Sequence, residues 1–304
     1  MNTKKTANLI FFLMTGFGAA SLVFMTAGIL VTLVVESWPG IERFGVIKFL
    51  LSRDWNYAKE SFGAARPLTG AILAAVMAVA MATPVALGVA IFLTELCPAK
   101  LKGSVALAIE LLAAIPSVIY GLWGLFVLAP FLEKYFQPLV GKVLGDVPWI
   151  GGYFQTKMAG GLNLVTASMI LGVMILPFIA SLAREGFAQV PEALKESAYG
   201  LGATRWETIR AVVWPSAQKA VMGGIIMATG RALGETMAVA YVIGNRHGAL
   251  ESLFSPYVTV TSVIANEFNE AGPIQMSALF YLTLALFLAN LLILSLAKRL
   301  LRRT

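Results

Sequence analysis

Six long apolar segments dominate the chain, at about 9–35, 68–96, 105–131, 161–183, 220–244 and 276–297. A helix needs about 20 apolar residues to cross a bilayer, and all six meet that length. Within lipid a backbone must satisfy its own hydrogen bonds, which confines such segments to helices. The sequence therefore predicts an all-α membrane protein with six spans. Composition agrees: of 304 residues, 58% are hydrophobic and 13% are charged, about half the charge of a typical soluble domain. Pro84, Pro116 and Pro177 fall inside the expected spans, where neighbouring groups can satisfy the freed backbone. Ile115-Pro116-Ser117 is expected to break or kink the third.

An even number of spans leaves both termini on one side. The N-terminus, residues 97–104, residues 184–219 and the tail hold thirteen of the 23 Lys and Arg. The opposite segments, 36–67, 132–160 and 245–275, hold nine over a greater length. By the positive-inside rule both termini are expected in the cytoplasm. Lys4 and Lys5 precede a first run too long for a signal peptide, so it reads as an uncleaved anchor. The expected division is 1–67 for the anchor and an outer segment, 68–297 for the membrane core and 298–304 for a basic tail. In the outer segment, ESWPG is a turn signal and IERFGVIKFLL has the spacing of an interfacial amphipathic helix. Trp38 and Trp55 suit an aromatic belt.

The chain offers little for covalent chemistry. It has one cysteine, Cys97, and one histidine, His247, around which no metal-ligand cluster can be assembled. No Ser-His-Asp set, Walker loop or Gly-rich dinucleotide loop is present. The chain is therefore expected to be non-catalytic, and any ATP it uses must be bound by another chain. The pI near 9.5 reflects loop basicity. No contiguous soluble basic face suggests nucleic acid.

Two charges interrupt the fifth apolar run. Residues 230–240 read GRALGETMAVA, with Arg231 four residues before Glu235. An isolated charge at bilayer depth costs about 2.5–3.5 kcal/mol and is kept where it faces a cavity, a partner or a pathway. On a continuous helix the two lie one turn apart on one face, in the weaker order for pairing. A guanidinium grips an oxyanion with two parallel hydrogen bonds. Arg231 and Glu235 are thus candidate pathway residues for a small anion, and Ser117 offers a hydroxyl. A structural ion pair fixing helix register is the alternative. Gly230 and Gly234 form G-x-x-x-G, which allows close approach by another helix.

Residues 184–219 carry the most informative loop, REGFAQVPEALKESAYGLGATRWETIRAVVWPSAQK. Pro191 suits the start of a helix. Gly200 and Gly202 then break the pattern. Thr204 to Glu207 has capping-box spacing, so a second helix should start at Thr204. Pro215 is expected to end or kink it. Glu95 and Glu110 are expected either to reach the interface or to bond to this loop.

This loop resembles the EAA loop of ABC importer permeases. Glu196, Ala198, Gly202 and Pro215 fall on its register, while Ser197, Val212 and Trp214 depart from it. AIFLTEL (90–96), ELLAAIPSVIYGLWGLFVLAP (110–130) and GRALGETMAVAYVIGN (230–245) are similar to the phosphate-specific members. The resemblance implies a type I ABC importer core and a multi-pass subunit of the bacterial inner membrane. It implies a homologous second permease, an ATPase dimer that binds ATP and Mg, and an extracytoplasmic phosphate-binding protein as partners. It also implies that Glu192, Glu196, Ala198, Gly202 and Pro215 serve coupling to the ATPase. A permease for sulfate or molybdate, or an ion-coupled secondary transporter or channel, is the alternative.

Overall fold

The computed structural model describes residues 2–155 and 161–303; the side chains of Lys4, Lys5, Arg302 and Arg303, and all of Lys157, lie outside that description. The helices are α1 (Asn2–Phe44), α2 (Val46–Leu51), α3 (Ala65–Ile91), α4 (Ala99–Ala114), α5 (Ser117–Trp123), α6 (Ala129–Phe131) and α7 (Gln137–Leu144). Then follow α8 (Leu164–Ala188), α9 (Glu192–Gly200), α10 (Arg205–Thr208), α11 (Trp214–Gly234), α12 (Met237–Val242), α13 (Val260–Glu267) and α14 (Pro273–Arg303). Among the described residues the sheet is one antiparallel hairpin, β1 (Trp55–Asn56) with β2 (Ser61–Phe62). Two units are present, residues 1–64 with 270–287 and residues 65–269 with 288–304.

Among the described residues, four π-helical turns share one cause. They span Phe92–Leu96, Gly124–Leu128, Leu132–Phe136 and Ile209–Val213. Each ends two residues before a proline: Pro98, Pro130, Pro138 and Pro215. A proline ring clashes with the carbonyl four residues back and supplies no N–H to it. In each case the residue before the proline donates to the carbonyl five back, as Cys97 does to Phe92 and Trp214 to Ile209. The wider turn lets the helix continue. Of the end or kink expected at Pro215, the end does not occur, because the π-turn carries the second loop helix on. Pro215 sits in the first turn of α11, which follows directly from the π-turn.

The turn expected at ESWPG is a correction. Pro39 lies inside α1, with no turn. The unit built from residues 1–64 and 270–287 explains why. Ser277 Oγ donates to the Glu36 carbonyl at 2.9 Å and accepts from the Gly40 amide at 2.8 Å. A hydroxyl thus bridges the i, i+4 pair beside the proline, and the helix runs on to Phe44. It ends before Gly45, whose φ of +71° favours glycine. In the same unit Phe49 of α2 stacks on Tyr281 of α14, with centroids 4.1 Å apart.

In the unit of residues 65–269 and 288–304, α8 is central and packs against α3 and α11. Its residues are mostly buried, and α3 presents the stripe Ala71, Ala74, Ala75, Ala78, Ala82, Ala86 and Ala90. Lipid is as apolar as leucine, so helix association there relies on close van der Waals approach through small residues. Gly186 of α8 and Gly224 of α11 serve this: a Cβ on either would come within 3 Å of Ala220 or Leu182. One cluster in this core joins Ala90, Ala183, Phe187, Val190, Val213, Ala217 and Val221.

Among the described residues, five helical stretches are long and apolar enough to cross a membrane: Phe11–Phe44, Ala65–Leu96, Ser117–Leu144, Leu164–Ala188 and Pro273–Arg299. Two of the six expected segments therefore differ. The third divides at Ile115-Pro116, where α4 ends and α5 begins, as the proline led one to expect. The spanning stretch starts at Ser117 instead. The fifth is not one helix: α11 stops at Gly234, Glu235 is extended (φ −69°, ψ 128°), and α12 starts at Met237.

Candidate functional site

The loop between α8 and α11 folds as two capped helices. Pro191 precedes the first residue of α9. At the far end Gly202 has φ +88°, a left-handed conformation. The Ala203 amide donates to the Ala198 carbonyl at 3.1 Å, and that of Gly202 to the Tyr199 carbonyl at 2.9 Å. These two bonds define a Schellman motif, which satisfies the last carbonyls of a helix and wants glycine at this position. Ala198 and Gly202 of the EAA pattern thus take part in one stop signal, Ala198 accepting from the Ala203 amide and Gly202 donating to the Tyr199 carbonyl. Thr204 then caps α10. Its hydroxyl accepts from the Glu207 amide, and the Glu207 carboxylate accepts from the Thr204 amide at 2.7 Å and hydroxyl at 2.8 Å. The backbone bond first, and the hydroxyl second, hold the Glu207 carboxyl below its ordinary pKa.

This loop presents apolar side chains to the outside. Leu201 is 90% and Trp206 66% exposed, and Leu194 and Tyr199 are also exposed. Glu192 and Glu196 stand among them on the exposed side of α9. The sequence reading named the acids but missed Leu201 and Trp206, which helical periodicity had no reason to place outward.

Of the two acids expected to reach the interface or bond within residues 184–219, Glu95 bonds to α9 and Glu110 to the end of α8. Glu95 accepts from Lys195 Nζ at 2.8 Å, with the two side chains 9% and 10% exposed. Glu110 accepts from Arg184 at 3.2 Å, in a more open setting. Burial lowers the Lys195 pKa, but the bond to Glu95 and the charges of Glu95 and Glu192 outweigh it and leave the ammonium above its ordinary value.

Arg231 lies in the last turn of α11 and is exposed in this chain. Among the described residues it makes no ion pair. The expected pairing with Glu235 is not made, because the helix ends between them and Glu235 leaves its face. Instead Glu235 holds the break. Its carboxylate accepts from the Ala238 amide at 3.4 Å, and its carbonyl accepts from Thr261 Oγ1 at 2.7 Å. Gly230 faces Asn290 and Leu294 of α14, whereas Gly234 meets nothing within 4 Å of a built Cβ. Gly230 is a packing position within this chain, and Gly234 stands open.

Ser117 opens α5 just past the other break. The hydroxyl of Tyr120 donates across that break to the Leu112 carbonyl at 2.7 Å. α5 and α12 pack together, with Gly121 so close to Ala238 that a Cβ would lie 3.0 Å from its Cα. Ser117 and Glu235 are each within about one helical turn of that contact. The structure thus places two helix breaks close to one packed contact; the sequence suggested the one at Pro116 and not the one at Glu235. Irregular backbone at membrane depth occurs where protein or a water-filled cavity surrounds it.

Residues 86–304 match the family described as the binding-protein-dependent transport system inner membrane component. The chain belongs to this family of transport permeases. Across nearly its whole length it is similar to proteins named phosphate transport system permease protein PstC. The one from Mesorhizobium japonicum is 47% identical, covering 97% of this chain and 90% of its own. That from Pasteurella multocida is 46% identical, covering 97% and 92%. Among solved structures, the inward-facing MetNI methionine ABC transporter matches 79% of this chain and 95% of its own, at 16% identity and a TM-score of 0.57. That likeness shows a shared fold.

Proposed function

We propose that this chain is the permease subunit of an ATP-driven phosphate importer, of the PstC type. The similarity to phosphate permeases at 46–47% identity over 97% of the chain carries this reading. It would span the bacterial inner membrane six times with cytoplasmic termini, α11 and α12 together completing the span that no single long helix supplies. Its partners are a homologous permease of the PstA type, an ATPase dimer of the PstB type and a phosphate-binding protein of the PstS type. ATP and Mg bind to the ATPase. This chain contributes half of the pathway and catalyses nothing covalent.

Phosphate is a small hydrated anion, for which low-dielectric surroundings raise a barrier. Arg231, exposed and free of any ion pair among the described residues, provides a fixed cation beside the broken helices. A conduit needs binding that is weak enough to release. Glu235 fixes the break and adds an acidic group near Arg231 that disfavours trapping, and Ser117 offers a hydroxyl on the facing helix. α9, with Glu192, Glu196 and the exposed Leu201, docks the ATPase, and its motion turns the path from one side of the membrane to the other.

ATP-driven uptake of labelled phosphate into vesicles holding the four-component complex tests the reading. Uptake that persists in excess sulfate and molybdate supports it. Uptake abolished by sulfate or molybdate indicates a permease for another oxyanion. Uptake without ATP indicates a secondary transporter or channel.

A further inference from the structure

α9 is an unusual helix in one respect: the only residue it buries is a lysine, Lys195. None of its residues joins the apolar cluster beneath it. The buried contact of α9 with the rest of the unit is therefore charged. Lys195 Nζ reaches Glu95 Oε1 at 2.8 Å, with both side chains about nine-tenths buried, and Glu192 adds a second, open carboxylate at 3.5 Å. Glu95 itself stands in the π-turn Phe92–Leu96 at the end of α3. That turn is the one widened ahead of Pro98, and π-turns recur at functional positions.

We propose that Lys195 and Glu95 form a rigid joint that delivers displacement of α9 to α3, which makes them positioning residues of the transport cycle. This rests on the proposed coupling role of the loop. A purely apolar contact between two helices resists separation but can slide. A charge-assisted hydrogen bond fixes distance and direction together. Buried ion pairs frequently contribute little net stability compared with apolar replacements of similar volume, and their better-attested use is to fix one arrangement. The pair is suited to setting where α9 sits rather than to holding the protein folded. The neighbouring Arg184–Glu110 pair, at 3.2 Å and more exposed, is a weaker brace between α8 and α4.

The test uses the complete complex in vesicles. In the double variant Glu95→Leu/Lys195→Met, the complex is expected to purify intact and hydrolyse ATP, while phosphate moved per ATP falls by about tenfold or more. Lys195→Arg should retain coupling, and the exchanged pair Glu95→Lys/Lys195→Glu should recover much of it. A merely structural role predicts the opposite pattern, with coupling per intact complex unchanged in the double variant; that result overturns the joint. A second arm does not depend on the substrate. With Cys97→Ser, spin labels are placed at Ala193→Cys on α9 and Val85→Cys on α3, both exposed positions. Their separation should stay constant between nucleotide-free and vanadate-trapped states, and become variable in the double variant. A separation that changes between states in the otherwise unaltered chain overturns the joint. A constant separation in a complex that moves no phosphate upholds the joint and removes the phosphate reading.

Discussion

At the scale of single residues, conformation explains identities that sequence pattern alone could only note. Gly202 has open space around it, so its requirement is the φ of +88° and not room. An L side chain in that region costs about 1–2 kcal/mol. Gly202→Ala should therefore loosen the end of α9 by about 1 kcal/mol, seen as faster hydrogen exchange at the Gly202 and Ala203 amides; unchanged protection would refute the Schellman account. Glu207 gives a pH signature. Its folded pKa is depressed, so its contribution to the cap is present above the unfolded carboxylate pKa and is lost as pH falls through the folded one. Exchange at the Thr204 amide should accelerate over that acidic window, and Glu207→Gln should shrink the pH response. Much of this was legible beforehand: Pro191, the capping-box spacing and Gly202 all announce their local structure. Arg231 was legible as an anomaly, but its relation to Glu235 was not. Four-residue spacing assumes a continuous helix, and the break at Glu235 depends on Thr261 from a distant element.

At the scale of elements, prolines decide where helices bend, widen or stop, and their outcomes depend on what stands nearby. Pro116 marks a complete break, Pro215 a π-turn, and Pro39 an uninterrupted helix. Sequence alone identifies each proline but not the compensating group. Beside Pro39, Ser277, from residues far along the chain, bridges the Glu36 carbonyl and the Gly40 amide. Ser277 is buried, and replacing it leaves a carbonyl and an amide without this partner. Ser277→Ala should cost about 1–3 kcal/mol, measured as a lower midpoint for thermal unfolding in detergent. No change would mean that α1 tolerates Pro39 without the bridge. The same limit explains the fifth apolar run. Hydropathy saw one segment from 220 to 244, whereas Gly234, Glu235 and Thr236 divide it into α11 and α12.

At the scale of the whole molecule, the membrane core and the exposed loop form one proposed device: a path beside two helix breaks, and a capped helix that receives motion from outside the membrane. The all-helical class followed from the apolar runs, and the loop from its caps. The exposure of Leu201 and Trp206 did not follow, because they look like ordinary core residues in sequence. Leu201→Glu should reduce co-purification of the ATPase without lowering the amount of folded permease; unaltered co-purification would place the docking surface elsewhere. The most direct measurement is ATP-driven phosphate uptake by vesicles containing the complete complex with Arg231→Ala. The account predicts uptake reduced by about tenfold or more, as loss of hydrogen bonds to a charged group worth about 1.5–3 kcal/mol implies, with the ATPase still bound. Uptake at the unaltered rate would contradict it.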